Sequence, residues 1–215
     1  MGKKMTTTEF ILKKFGKEDY KGKMPIHLDI LRDDLAPLFK ELGLNVGVEI
    51  GVAAGRFSEI LLGGHSDLKL YCVDPYLAYP GYFDFPIQEK LTNFETCAKQ
   101  KLASYGDRVQ FIKKPSMEAV HDFADNSLDF VYIDGNHIFK AVVDDLEEWS
   151  KKVRKGGIIA GHDFETHTKP AIINVKEVVC AWTYAFAINP WFTTTRAVRY
   201  PQDGNVARSF FWEKK

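Results

Sequence analysis

Apolar residues recur along this chain in two alternating rhythms. Runs of strand length, "VGVEI" at 46–50, "LKLYCVD" at 68–74, "RVQFIKK" at 108–114, "LDFVYID" at 128–134 and "KGGIIAGHD" at 155–163, predict five strands, the last opening on a turn. Between them the spacing becomes helical. "GVAAGRFSEILL" starts in glycine and turns into a helix, and "SMEAVHDFA" reads as a short one with Ser116 as N-cap and Glu118 in its first turn. After residue 134, Val142, Leu146, Trp149 and Val153 fall on one stripe, with Asp144, Asp145, Glu148 and Lys152 outside it.

The ends of the chain are less regular. Residues 1–25 are Lys- and Gly-rich and predict a loose lead-in with a short helix over 9–15. Apolar positions at Leu28, Leu31, Leu35, Leu38, Phe39 and Leu42 predict a helix closed by Gly43, with Pro37 kinking or splitting it. A further helix is expected from Pro170, with Ile172, Val175, Val179, Trp182 and Phe186 on its apolar stripe. "WFTTTRAV" and "ARSFFWEK", joined by the turn-rich "RYPQDGN", predict a closing antiparallel hairpin.

Strand and helix in such regular alternation imply an α/β fold. The sheet expected is doubly wound and seven-stranded, mostly parallel, with an antiparallel C-terminal strand pair and helices on both faces. A single domain over 26–215 follows the lead-in. Ligands bind such sheets beyond the carboxyl ends of the strands, so the residues found there carry the chemistry.

Composition narrows the partners. Basic and acidic side chains number 29 each, so the formal net charge is zero, which argues against nucleic acid and an anionic membrane and for a small molecule. Cys72, Cys97 and Cys180 are far apart in sequence and make no metal-binding pair, which predicts reduced, mostly buried thiols in a cytoplasmic setting. "MGKKMTTTEF" lacks the apolar core of a signal peptide, and no apolar run is long enough to span a bilayer. A homo-oligomer through the apolar N-terminal helix is compatible with the pattern.

The first predicted strand ends in Glu49-Ile50-Gly51, followed by Val52-Ala53-Ala54-Gly55. Small residues there let a ligand reach the backbone and a helix N-terminus. The spacing is not G-x-G-x-x-G, and Glu49 brings a negative charge that repels phosphate and suits an ammonium group. A turn needed only for packing would use similar residues. The second strand ends in Asp74-Pro75, where a carboxylate can accept ribose hydroxyls or simply form a turn. Ser116 and Met117 follow the third strand, as an adenine edge or as helix cap and core. The fourth ends in Asp134, with Gly135, Asn136 and His137 after it, and the fifth in His162-Asp163.

In this order, "VEIGVAAGRFS", "VDPY", "PSMEAV", "DFVYIDGNH" and "GGIIAGHDF" resemble the class I S-adenosylmethionine-dependent methyltransferases, with a Rossmann-like fold. Within them the chain is similar to small-molecule O-methyltransferases, of the catechol type and of the branch acting on macrolide sugars. The resemblance covers roughly residues 27–164 by motif. It implies that Glu49 and Gly51 hold the methionine end of the cofactor, Asp74 the ribose, and Ser116 with Met117 the adenine. Gly55, Ser58, Pro75 and Asp134 belong to the same surroundings. It also implies a divalent cation, magnesium for oxygen ligands, on Asp134, His162 and Asp163. The catechol type carries Asp-Asn where this chain has His162-Asp163, and an imidazole there shifts preference toward a transition metal or leaves His162 out of the ligand set. Three residues past the aspartate that family has a lysine base, and His137 stands here, able to take a hydroxyl proton near neutral pH.

The expected activity is methyl transfer from S-adenosylmethionine to a hydroxyl of a small molecule, with Asp134 and His137 catalytic. Tyr76, Tyr79, Tyr82, Phe83 and Phe85 crowd residues 75–86 as a lid, a substrate wall or ordinary loop packing. Competing expectations are a metal-independent methyltransferase, a nicotinamide-dependent oxidoreductase and a binding module without turnover.

Overall fold

A computed structural model describes residues 5–80, 82, 86–166, 173–195 and 207–215. The lead-in carries helix α1 (Thr7–Lys14), opened by a capping box between Thr6 and Glu9. The helix expected from Leu28 is shorter and starts later. Strand β1 (Ile26–His27) comes first, then a 3-10 turn, then α2 (Leu35–Glu41). Pro37 lies in the first turn of α2, where its missing N–H costs no helical hydrogen bond. Gly43 follows the helix with φ +68°, the left-handed ending that the sequence predicts.

The alternating units follow as β2 (Val46–Ile50), α3 (Arg56–Gly64), β3 (Lys69–Val73), α4 (Gln88–Leu102), β4 (Val109–Ile112), α5 (Ser116–Ala119), β5 (Leu128–Ile133), α6 (Phe139–Lys152) and β6 (Val153–Gly161). Val153, placed by periodicity on the preceding helix, opens β6. The chain closes with α7 (Val175–Ala185), β7 (Phe192–Thr193) and β8 (Phe210–Glu213). Pro170 and Ile172 lie outside the described residues, as does "RYPQDGN". Phe186, expected on the buried stripe, is 59% exposed just past the end of α7.

The sheet has eight strands rather than seven, in the order β1-β7-β8-β6-β5-β2-β3-β4. The extra strand is β1, which pairs parallel to β7 at one edge. β8 runs antiparallel to both β7 and β6, so the closing pair is antiparallel as predicted. Side-chain alternation splits the core into two layers. Phe130 and Tyr132 join Phe39, Phe57 and Leu61 on one face, whereas Val131 and Ile133 join Leu146, Trp149 and Val179 on the other. Gly47 lets the strands pack at all, because a Cβ there would stand 2.1 Å from the Phe130 ring.

Helix α4 has no counterpart in the predicted pattern. Only Leu91, Ala98 and Leu102 of its 15 residues are buried, too sparse a stripe to read among the polar positions. Asp145, placed outside the stripe of α6, is 3% exposed and inside the packing. Of the cysteines only Cys72 is buried, and Cys97 and Cys180 are exposed free thiols. His65 is buried with Nε2 at 3.0 Å from the Leu44 carbonyl. No helix among the described residues is long and apolar enough to cross a membrane.

Candidate active site

The carboxyl ends of β2, β3 and β5 are laced together by the backbone. Gly51 N–H donates to Val73 O at 2.9 Å, and Asp134 N–H donates to Ile50 O at 2.8 Å. Gly51 has φ +85°, and a Cβ on it would lie 2.1 Å from Asp134 O, so only glycine satisfies both the turn and the neighbouring strand. Asp74 clasps the same turn. Its Oδ2 accepts from Val52 N–H at 3.0 Å and Ala53 N–H at 2.9 Å, and its Oδ1 accepts from Tyr76 N–H at 2.8 Å. Burial raises the Asp74 carboxyl despite these three donors.

A cavity of about 190 Å³ opens over these strand ends. Gly51, Asp74, Pro75, Ser116 and Met117 line it, joined by Gly135, Asn136 and Asp145 from the β5 end and α6. Tyr79 and Tyr82 of the aromatic loop stack on one another at 5.3 Å and form part of its wall, while Tyr76 is buried and donates to Ala53 O at 3.1 Å. Phe83 and Phe85 lie outside the described residues. Ser116 is the first residue of α5 rather than its N-cap, which is Pro115. Its hydroxyl donates to Asp145 Oδ1 and accepts from Trp149 Nε1 at 2.8 Å, so the side chain is drawn toward α6 and away from its own helix end. Burial pushes Asp145 up to about 7.

Glu49, Gly55 and Ser58 are not among the lining residues. Glu49 is 1% exposed, accepts a short hydrogen bond from Ser58, and is pushed up to about 8 by burial, against the pull of Ser58 and Arg32. Gly55, with φ +75°, packs its Cα side against Ala98 of α4.

Beyond Gly135 lies a dense charged cluster. Ligand atoms of Asp134, His162 and Asp163 all fall within 4.8 Å of one another, at the ends of β5 and β6. His137 Nε2 stands 3.1 Å from Asp163 Oδ2 and 3.6 Å from Asp134 Oδ1, and His162 Nδ1 stands 3.4 Å from the same Asp163 oxygen. Burial works to raise Asp163. The hydrogen bond from His162 and the charges of His162, His137 and Arg32 outweigh it and hold the group well below the usual carboxylate range.

Sequence reasoning missed Arg32. Its Nη2 donates to Asp134 Oδ2 at 2.6 Å, with the guanidinium over the rings of Phe57 at 4.1 Å and Tyr132 at 5.0 Å. The pair joins residues 102 apart in sequence, so no local motif announces it. By holding Oδ2, Arg32 leaves Oδ1 toward the two histidines. A set of two carboxylates and one imidazole at this separation fits a divalent cation.

The profile of a family described as methyltransferase domain matches residues 48–164, which takes in the carboxyl ends of β2 to β6. An uncharacterized protein of Acanthamoeba polyphaga mimivirus is 31% identical over 182 residues, covering 80% of this chain and 77% of its own. Among solved structures, the O-methyltransferase from Bacillus cereus, in complex with SAH, superposes with a TM-score of 0.59 at 18% identity, over 100% of this chain and 93% of its own. An rRNA methylase from Streptococcus thermophilus gives 0.55 at 13% identity, over 85% and 93%. At those identities the structures speak to the fold, and the profile speaks to the family. The chain belongs to the methyltransferase domain family, on the Rossmann-like fold of the class I methyltransferases.

Proposed function

We propose that the protein transfers the methyl group of S-adenosylmethionine to a hydroxyl oxygen of a small molecule, assisted by a divalent cation on Asp134, His162 and Asp163. The observation that carries this reading is adjacency. The cavity wall at Gly135 and Asn136 is continuous in sequence with Asp134 and His137, so a methyl donor in the cavity would meet an acceptor over the charged cluster. The Bacillus cereus neighbour, solved with the demethylated cofactor, supports the choice of donor. Zero net charge supports a small acceptor over nucleic acid.

In this reading the S–CH3 bond breaks as the O–CH3 bond forms in line, and S-adenosylhomocysteine leaves. His137 takes the hydroxyl proton, and the imidazolium is stabilised by the carboxylates of Asp163 and Asp134 beside Nε2. A bound divalent cation would lower the pKa of the acceptor hydroxyl and fix its direction. Arg32 holds Asp134 in place, and the stacked Tyr79 and Tyr82 wall the site from water.

The Arg32–Asp134 pair also favours a second reading, metal-independent transfer with Arg32 as the resident cation of the cluster. Turnover with hydroxylated acceptors after chelation decides between the two. Loss of activity restored by magnesium or manganese is expected, and full activity in chelator would leave the second reading standing.

A further inference from the structure

Asn174 opens α7 as its N-cap, and Val178 N–H donates to its carbonyl at 3.0 Å. An asparagine in that place ordinarily turns its side-chain oxygen back onto the first N–H groups of its own helix. Asn174 makes no such cap bond. Its Oδ1 instead accepts at 3.2 Å from the N–H of Phe139, the first residue of α6, whose own N-cap is the apolar Ile138. The backbone N–H of Asn174 donates to the His137 carbonyl at 2.9 Å. One residue of α7 thus grips the turn between β5 and α6 at two points, the second 35 positions back along the chain.

That turn carries the proposed base. Its upstream end is tied to β2 where Asp134 N–H donates to Ile50 O at 2.8 Å. Within it, Asn136 Oδ1 accepts from Ile138 N–H at 3.2 Å. A bond inside a turn shapes it without placing it against the rest of the fold. The two bonds from α7 do place it, and they fall on the residue that bears the imidazole and on the residue two further on. His137 Nε2 stands 3.1 Å from Asp163 Oδ2 and 3.6 Å from Asp134 Oδ1, a spacing that depends on where this backbone sits. A misplacement of about 1 Å at a reacting group can cost on the order of 100-fold in rate.

We infer that Asn174 is a positioning residue for the methyl transfer, setting the His137 imidazole by holding the backbone on both sides of Ile138. This rests on His137 as the base of the proposed reaction. The side chain that α7 gives up as its own cap serves the reacting end of the molecule. A residue that merely capped α6 would stabilise that helix without moving the ring.

Nuclear magnetic resonance of the full chain with isotope-labelled histidine tests this, the His137 ring signals being those missing from His137→Ala. In Asn174→Ala they should shift or broaden while those of His65 and His121 stay in place, and S-adenosylhomocysteine affinity should be unchanged. Phe139→Pro removes the donor of the same bond and leaves Asn174 intact. Proline suits the first helical position, and Ile138, at φ −70° and ψ 151°, already has the backbone that a following proline requires. Measured against Phe139→Ala, which loses the same ring and keeps the N–H, Phe139→Pro should move the His137 signals as Asn174→Ala does. The double variant should move them little further than either alone, because both changes break one bond. Ring signals unmoved in Asn174→Ala and in Phe139→Pro, beside lost turnover in His137→Ala, would overturn this inference alone and leave Asn174 a cap for α6. Full turnover in His137→Ala would overturn the base and the inference together.

Discussion

The two halves of the strand-end crevice are built by different physics. The half made by β2, β3 and α5 is held by backbone hydrogen bonds, by a glycine that no other residue can replace, and by carboxyls that burial pushes toward neutrality. The half made by β5 and β6 is held by charge, with Arg32, Asp134, His137, His162 and Asp163 fixing one another. The first should tolerate changes of salt and fail on changes of shape. The second should tolerate small changes of shape and fail when one charge is removed, because the rest are then buried without balance.

Removing Asp134 breaks that difference open most widely. Asp134→Ala leaves the Arg32 guanidinium, 12% exposed, without its carboxylate, and breaking such a pair costs about 3–5 kcal/mol. A large fall in melting temperature is expected together with loss of turnover. The double variant Arg32→Met with Asp134→Ala should recover much of the stability and none of the activity.

His137→Ala isolates chemistry from assembly. Turnover should fall by about 100-fold or more, the lower end of what a positioned base contributes, with S-adenosylhomocysteine affinity unchanged. Full turnover in that variant would remove His137 from the mechanism.

On the shape-controlled half, Gly51→Ala forces a Cβ to 2.1 Å from Asp134 O in a left-handed turn. The expected loss is about 2 kcal/mol of stability, since the backbone must move to admit the methyl, and cofactor affinity should fall with it. Chemical denaturation beside a binding isotherm checks both.

The last comparison is a slope. Burial raises Glu49 from 4.5 to about 8, so the folded state keeps a proton that the unfolded chain has lost between those values. Stability from this group is therefore full below about 4.5 and falls as pH rises through about 8. Glu49→Gln should flatten that part of the stability–pH curve, and an unchanged slope would show that Glu49 is ionised in the fold.

Much of the fold was legible because a strand inside a covered sheet is largely apolar and ends where polar residues begin. That is why β2, β3, β4, β5 and β6 and the residues at their carboxyl ends could be read directly. Strand β1 was not legible. Its two residues gain their identity only by pairing with Phe192 and Thr193, far along the chain, and Leu28 beyond it mimics helical spacing. Helix α4 escaped because it buries too few side chains to leave a period.

The candidate site divides in the same way. The pattern of apolar runs by itself determined that Glu49, Asp74, Asp134, His137, His162 and Asp163 stand at strand ends, since a residue's place relative to a strand is a local property. Tertiary structure alone decided which of them meet. It turned Glu49 inward to Ser58, spent the Asp74 oxygens on backbone N–H groups, brought Arg32 onto Asp134, and set Asp145 in the cavity floor. Those outcomes depend on distances between segments separated by many residues and on how much water burial removes, and neither quantity is written in any local stretch of the chain.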